Sequence, residues 1–363
     1  MKNRLSDLSQ GKENNLNLIR MIAASSVLIT HSFALVTGTG ASEPLRQSLG
    51  LTMGTISVHV FFVISGLLVT ASLVNKENLI DFFWARSLRI FPALFLMILF
   101  VVFFLGPFFT TIDFIDYMKS KETYIYIAKC STLIFGVRDH LPGVFTDLPF
   151  KNSVNGSLWT MPYEVRMYLT LAATWLVLQS FNRKYFHAAI VLFALASGGK
   201  IAFDHFSMTR PEKYIELFFM FFMGASFYTL RNHIRVHGAI FLALIALIAV
   251  NLKDAHNFYI VYVVSIGYLV LYLSYIPSGF IRKYNRLGDY SYGVYIYAFP
   301  IQQSIIAMNP EISIADLIKY SLAMTLALSV ISWHVLEKRF LGMKPFLVAK
   351  THGILRRGSA SSH

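Results

Sequence analysis

Two ionisable side chains inside one apolar stretch, Arg20 and His31 in LNLIRMIAASSVLITHSFALV (16–36), are the residues of this chain best suited to chemistry. On an α-helix their separation of eleven residues is roughly 16 Å along the axis and roughly 20° in azimuth, so both look out of one face. An ionisable group in a spanning helix costs on the order of 3 kcal/mol at the centre, and it normally faces protein or a water-filled cavity. A cation near one membrane surface with an imidazole deeper on the same stripe describes a polar path leading to a proton-handling group. The alternative is an Arg20 that snorkels to headgroups and a His31 held by an interhelical hydrogen bond.

A second cluster is DFFWARSLRIFPALFL (81–96), where Arg86 and Arg89 are i, i+3 neighbours. Paired guanidiniums bind phosphate oxygens bidentately, so with Arg20 at a helix end on the same side they suit a phosphorylated donor. From this segment alone, the positive-inside rule with interfacial snorkelling is the simpler account of the pair. The third cluster, NGSLWTMPYEVRMYL (155–169), carries Glu164 about six residues into a helix, roughly 9 Å below the interface. That depth matches His31, so a Glu164–His31 hydrogen bond fixing the tautomer and raising the basicity of the imidazole is expected. A structural bridge from Glu164 to Arg166 or Arg210 is the competing expectation. Trp159, Tyr163 and Tyr168 are aromatic-belt residues or sugar-stacking contacts. In HVFFVISGLLVTASL (59–73), Ser65-Gly66 reads first as a close-packing device. Ser65 has no base at a helix-compatible spacing to make it a nucleophile, and it is carried as a substrate contact. The last cluster is LGDYSYGVYIYAFPIQQ (287–303) followed by SWHVLEKRF (332–340). Pro300 should kink its helix and free carbonyls towards a cavity. Tyr292, sharing a face with Tyr295, is a further substrate contact, and Glu337-Lys338-Arg339 is expected as an interfacial charge cluster.

The elements that must position these groups are membrane helices. The chain is 55% hydrophobic, 14% charged and holds 32 Phe in 363 residues, which is a polytopic composition, not a soluble one. Candidate spans fall near 16–36, 55–74, 82–108, 158–180, 186–203, 214–231, 237–252, 257–276, 290–307 and 315–336. The fold class is thus all-α with about ten transmembrane helices. Lys and Arg concentrate in one alternate set of segments, including Arg4, Lys12, Arg20; Arg86, Arg89; Arg183, Lys184; Arg231, Arg235; Arg282, Lys283, Arg286; and Lys338 to Arg357. The opposite short loops hold only Arg46, Lys200, Arg210, Lys213, Lys253 and Lys319. By the positive-inside rule both termini are cytoplasmic.

The same distribution accounts for the net charge of +13 without nucleic acid, because no basic cluster is interleaved with exposed aromatics in a soluble module. The single cysteine, Cys130, excludes an intrachain disulfide, and no metal is called for. Residues 1–15 form a polar N-terminal segment with no cleavable signal expected, 16–340 the membrane domain, and 341–363 a basic, mobile tail on the membrane surface. The stretch 122–137 is too short to span and suits a re-entrant or interfacial helix. The long 109–157 connection is a lid, an acceptor-binding element or a solvated connector.

Taken together, these segments resemble acyltransferase family 3, the polytopic bacterial enzymes that modify surface polysaccharides and related glycans. The matching pieces are Arg20-x10-His31, FFVISGLLV (61–69), ARSLRIFPAL (85–94), GSLWTMPYE (156–164), LGDYSYGVYIYAFP (287–300) and SWHVLEKRF (332–340), in the family's order and over almost the whole chain. The resemblance implies transfer of an acyl group, usually acetyl from acetyl-CoA, to a hydroxyl of a glycan or lipid-linked oligosaccharide. His31 would then be catalytic, Arg20, Arg86 and Arg89 would serve the donor, and Glu164 matches the family's glutamate. Two positions depart: Ala298 stands where the family often has His, and Arg339 where a proline is usual. No appended SGNH-type esterase domain is expected. Two other classes fit the bare residues: a proton or anion transporter, and an enzyme acylating a small molecule.

Overall fold

The structure is a computed structural model that describes residues 4–11 and 13–360, with 356–360 described by backbone alone. Lys2, Lys12 and the last three residues of the basic tail lie outside the described residues. Among the described residues the regular structure is helical, apart from two isolated bridges, Arg4 to Arg235 and Thr110 to Val144.

A helix forms at each of the ten expected spans: α1 Leu16–Thr37, α2 Met53–Lys76, α3 Leu79–Phe100, α4 Met161–Leu178, α5 Arg183–Phe206, α6 Lys213–Thr229, α7 Gly238–Val250, α8 Ala255–Tyr275, α9 Ser291–Met308 and α10 Ile314–Ser332. Their ends follow local chemistry. Thr52 and Asn78 accept backbone N–H groups at the starts of α2 and α3, and α1 stops where Gly38 turns left-handed. Among the described residues, six helices are long and apolar enough to cross a membrane: α1, α2, α3 with its extension to Phe109, α5, α8, and α10 with its continuation. The chain is an all-α polytopic membrane protein. Helix α7, 13 residues of almost unbroken apolar sequence, buries no residue and lies on the outside of the bundle.

Helix α9 is the core, with every residue from Ser291 to Ile306 buried. Its polar groups are therefore spent inside. Gln302 Nε2 donates to Leu28 C=O at 2.9 Å and Ser32 Oγ at 2.6 Å on α1, and Gln303 Nε2 donates to Phe150 and Ser153 carbonyls in the 109–157 connection. Helix α1 in turn packs on α2, so α1, α2 and α9 carry Arg20, His31, Ser65 and Tyr292, while α3 and α4 carry Arg86, Arg89, Tyr163, Glu164 and Tyr168.

Ser65-Gly66 is the close-packing device the sequence suggested. A Cβ on Gly66 would stand 1.9 Å from the Phe221 carbonyl oxygen of α6, and one on Gly224 would stand 2.0 Å from that of Val63. The two glycines interlock and bring the backbones of α2 and α6 together. Gly66→Val should therefore destabilise the bundle by about 3 kcal/mol or more, read as a lower unfolding midpoint in detergent. Gly199→Ala on α5, where nothing lies within 4 Å of the added carbon, should not.

Two segments outside the ten helices are held by specific contacts. The basic tail, where it is described, forms the helix Lys344–Ala360 on the start of α3, with Trp84 Nε1 donating to Thr351 Oγ1 at 3.0 Å and Lys344 Nζ 3.1 Å from Asp81. The 109–157 connection is built around the helix Lys121–Thr132 and is fastened to a π turn, Val101–Leu105, that continues α3. Tyr117 OH donates to the Val102 carbonyl there at 2.9 Å.

Candidate active site: an arginine cavity and a histidine cavity

Arg20, Arg86 and Arg89 all line one cavity of about 480 Å³, which also takes Ser65, Glu164, Tyr168, Tyr292 and Lys344. Helices α1, α2, α3, α4 and α9 each contribute a wall. The three guanidiniums are not equivalent. Arg20 pairs with Asp289, and Arg89 spans Asp289 at 2.7 Å and Glu337 at 3.0 Å. Arg86 has no carboxylate partner among the described residues. Its guanidinium lies 6.0 Å from the Tyr168 ring centre, and its Nε is buried without a hydrogen bond. Two of the arginines expected to meet a ligand are thus neutralised by protein, because a buried cation needs a compensating charge. Glu337, expected in an interfacial cluster, is 1% exposed and also accepts from Ser332 Oγ.

Asp289 and Lys344 carry no role in the sequence reading. A carboxylate just ahead of α9, on the face where arginines accumulate in a chain poor in acids, was the available signal for Asp289. Burial alone would push the Asp289 carboxyl up, but Arg20, Arg89 and the Ser291 hydroxyl, 2.5 Å away, hold it below its ordinary value.

Glu164 hydrogen-bonds Tyr168 one turn on and accepts from Ser65 Oγ at 3.3 Å, while Ser65 and Tyr168 oxygens are 3.0 Å apart. It makes no bridge to Arg166, which instead lies over Tyr163 at 5.6 Å. Tyr163 lines neither of the two cavities and packs between Trp159 and Tyr214. Tyr292 presents its ring to Arg89 at 5.4 Å and gives its hydroxyl to the Ile90 carbonyl.

His31 lies elsewhere. It lines a second cavity of about 770 Å³ with His59, Trp159, His205, His256 and Tyr259, and with Arg46, Arg210 and Lys213. Its Nδ1 is 3.5 Å from Ser157 Oγ, and Phe299 meets the imidazole edge-on at 5.1 Å. The expected His31–Glu164 hydrogen bond is absent: each has other partners, and they line different cavities. Facing decides it: Glu164 turns with Tyr168 towards Ser65 of α2, while His31 turns towards Ser157 in the entry to α4. Gly156–Thr160 is a 3-10 turn, whose rise near 2 Å per residue carries the chain about 10 Å before the α-helix begins. Around the same cavity His59 Nδ1 pairs with Tyr262 OH at 2.9 Å, His205 stacks on His256 at 3.8 Å, and Lys213 lies over Trp159 at 4.9 Å.

The turn that aims Ser157 at His31 is held by Asn155. Pro300 cannot donate to the carbonyl of Ile296, and the sequence reading sent that freed carbonyl into a cavity. Instead Asn155 Nδ2 donates to it at 2.9 Å, while Asn155 Oδ1 accepts from Ser157 N–H. A freed backbone group that the fold can satisfy need not seek solvent. Asn155→Leu should cost about 1–3 kcal/mol, by leaving the Ile296 carbonyl buried and unpaired, seen as reduced thermal stability in detergent.

The two cavities share Val58 of α2 and Tyr295 of α9 in their walls. A guanidinium-lined chamber therefore adjoins an imidazole-lined one, an arrangement that can hold two reactants from different sides and bring them to one boundary.

Comparison with known proteins adds the following. Residues 13–336 match the acyltransferase-domain family known as acyltransferase family 3. An O-acetyl transferase of Shigella phage Sf6 is 28% identical over 335 residues, 91% of this chain and 96% of that protein. Nodulation protein 10 of Rhizobium leguminosarum bv. viciae is 25% identical over 368 residues, 94% of this chain and 97% of that protein. No solved structure matches the chain.

Proposed function

The chain belongs to acyltransferase family 3, and on that premise we propose that this membrane acyltransferase moves an acyl group, acetyl first of all, from a CoA thioester to a hydroxyl of a glycan or lipid-linked oligosaccharide. The observation that carries the reading is the meeting of the two cavities at Val58 and Tyr295. The O-acetyl transferase named among the relatives supports acetyl as the group transferred.

In this reading all ten helices cross a bacterial inner membrane with both termini in the cytoplasm, the bilayer thinning against short α7. Residues 16–340 carry the reaction, and the segment from 341 on lies along the cytoplasmic surface. The arginine cavity then opens to the cytoplasm and the histidine cavity to the far side. The donor's phosphates suit Arg86, whose Nε has no protein partner, together with Lys344 at the same cavity. Arg20 and Arg89, already paired with carboxylates, shape the chamber. Glu164 holds Tyr168, the ring against which Arg86 rests.

On the far side Trp159 and the His205–His256 stack offer flat faces to a sugar, with Arg46, Arg210 and Lys213 around it. His31, steadied by Ser157, takes the proton of the acceptor hydroxyl. That oxygen attacks the thioester carbonyl carbon, the C–O bond forms and the C–S bond breaks. CoA leaves as the thiol with the proton His31 had taken. A positioned base contributes about 10²–10⁴-fold, and proximity supplies much of the rest.

The test compares glycans of cells with and without the protein by mass spectrometry, and supplies membrane vesicles with radiolabelled acetyl-CoA. Loss of an acyl increment from the glycan, and label passing into it only when the protein is present, is the expected result. Unaltered glycans and no label would refute the reading, and ion flux without consumption of acyl-CoA would replace it with transport.

A further inference from the structure

The stripe of α2 that faces the site runs through both chambers: Gly54 and Thr55 line the histidine cavity, Phe62 and Ser65 the arginine cavity, and Val58 both. These positions recur at helical spacing on one face, so Val58 is where the stripe passes from one chamber to the other. Tyr295 is the other residue common to both linings, and it is tied down. Its hydroxyl donates to the Ser157 carbonyl at 2.7 Å and lies 2.6 Å from Thr160 Oγ1, and Phe61 packs edge-on against its ring at 5.9 Å. The boundary therefore has one fixed wall and one short aliphatic wall.

We infer that Val58, against the fixed Tyr295 ring, is the gauge that sets which acyl chain this enzyme transfers. The inference rests on the donor and acceptor assignment above. For the acceptor oxygen on the His31 side to reach a thioester held on the arginine side, the carbonyl and its acyl chain must stand at this boundary. The chain then lies against Val58 while the C–O bond forms and the C–S bond breaks. On this inference the two terminal methyl groups of Val58 limit how far the acyl chain extends past the boundary. Val58→Ala removes two carbons, the number by which butyryl exceeds acetyl, and Val58→Ile adds one.

Inverted membrane vesicles carrying the full chain and its native acceptor are supplied in turn with radiolabelled acetyl-, propionyl- and butyryl-CoA, and label in the glycan fraction is counted. Wild type should favour acetyl. Val58→Ala should raise the butyryl-to-acetyl ratio about tenfold or more, and Val58→Ile should lower the propionyl-to-acetyl ratio, since one methylene in a pocket is worth about 10–200-fold. The readout is a ratio, so a variant that merely folds less well loses rate with all three esters equally. Ratios that are the same in all three proteins overturn the gauge while leaving the transferase reading intact. Failure of wild type to incorporate label from any ester, in vesicles whose glycan is otherwise acylated in cells, removes the donor assignment and the gauge with it.

Discussion

Replacing His31 by alanine is expected to lower acyl transfer by about 10²- to 10⁴-fold while leaving a folded, membrane-inserted protein. The fold should tolerate the change because His31 is lightly held: its contacts are a long 3.5 Å approach to Ser157 Oγ and the Phe299 edge. Neither resembles the ties that close the bundle, such as Gln302 to α1. His31→Gln sharpens the test, since the amide keeps a polar group on this face but cannot act as a base near neutral pH. Transfer to the acceptor in vesicles is the measurement, with thermal unfolding in detergent as the control. Near-normal transfer by either variant would remove His31 from the mechanism. Ser157→Ala should give a partial loss, because it orients the ring without handling the proton.

Asp289→Ala should be the most destabilising single change at the site, by about 3–5 kcal/mol. One carboxylate serves two guanidiniums there, and its removal leaves Arg20 without an ion-pair partner among the described residues and Arg89 with Glu337 alone. The expected signs are a lower unfolding midpoint and poor recovery from the membrane. Asp316→Ala, which breaks an exposed pair with Lys319, should leave the midpoint unchanged.

The same carboxylate predicts an acid dependence. Burial would raise its pKa, but Arg20, Arg89 and Ser291 outweigh burial and hold it below the unfolded value. A depressed native pKa contributes stability that is fully present above the unfolded value and is lost as pH falls through the native one. The Asp289 ion pairs should therefore persist through the ordinary carboxylate range and fail only below it. In Asp289→Asn that portion of the acid transition should be missing, as thermal unfolding against pH would report.

Much of this protein is legible in its sequence. Runs of apolar residues near 20 long dictate helices wherever they occur, since backbone groups in hydrocarbon must be paired within the segment. Each expected span accordingly holds a helix. Close packing at Gly66 was legible too, because a glycine amid large apolar residues of a helix has few other uses. The grouping of Arg20, Arg86 and Arg89 at one cavity follows from their shared end of the bundle.

What the tertiary structure alone decided is who faces whom. Depth counted along separate helices says nothing of which way each face turns, and in the bundle Glu164 meets Tyr168 and Ser65 while His31 meets Ser157. Asp289, Glu337 and Asn155 come from segments far from their partners in the chain, and the cost of a buried charge or a freed carbonyl states that a partner exists without naming it. The boundary at Val58 and Tyr295 is likewise invisible in sequence, where an apolar helix position and a core tyrosine look like packing. Periodicity along one helix fixes which residues share a face; only the three-dimensional crossing of α1, α2, α4 and α9 fixes what that face encloses, because packing selects among many pairings that local sequence leaves equal in energy.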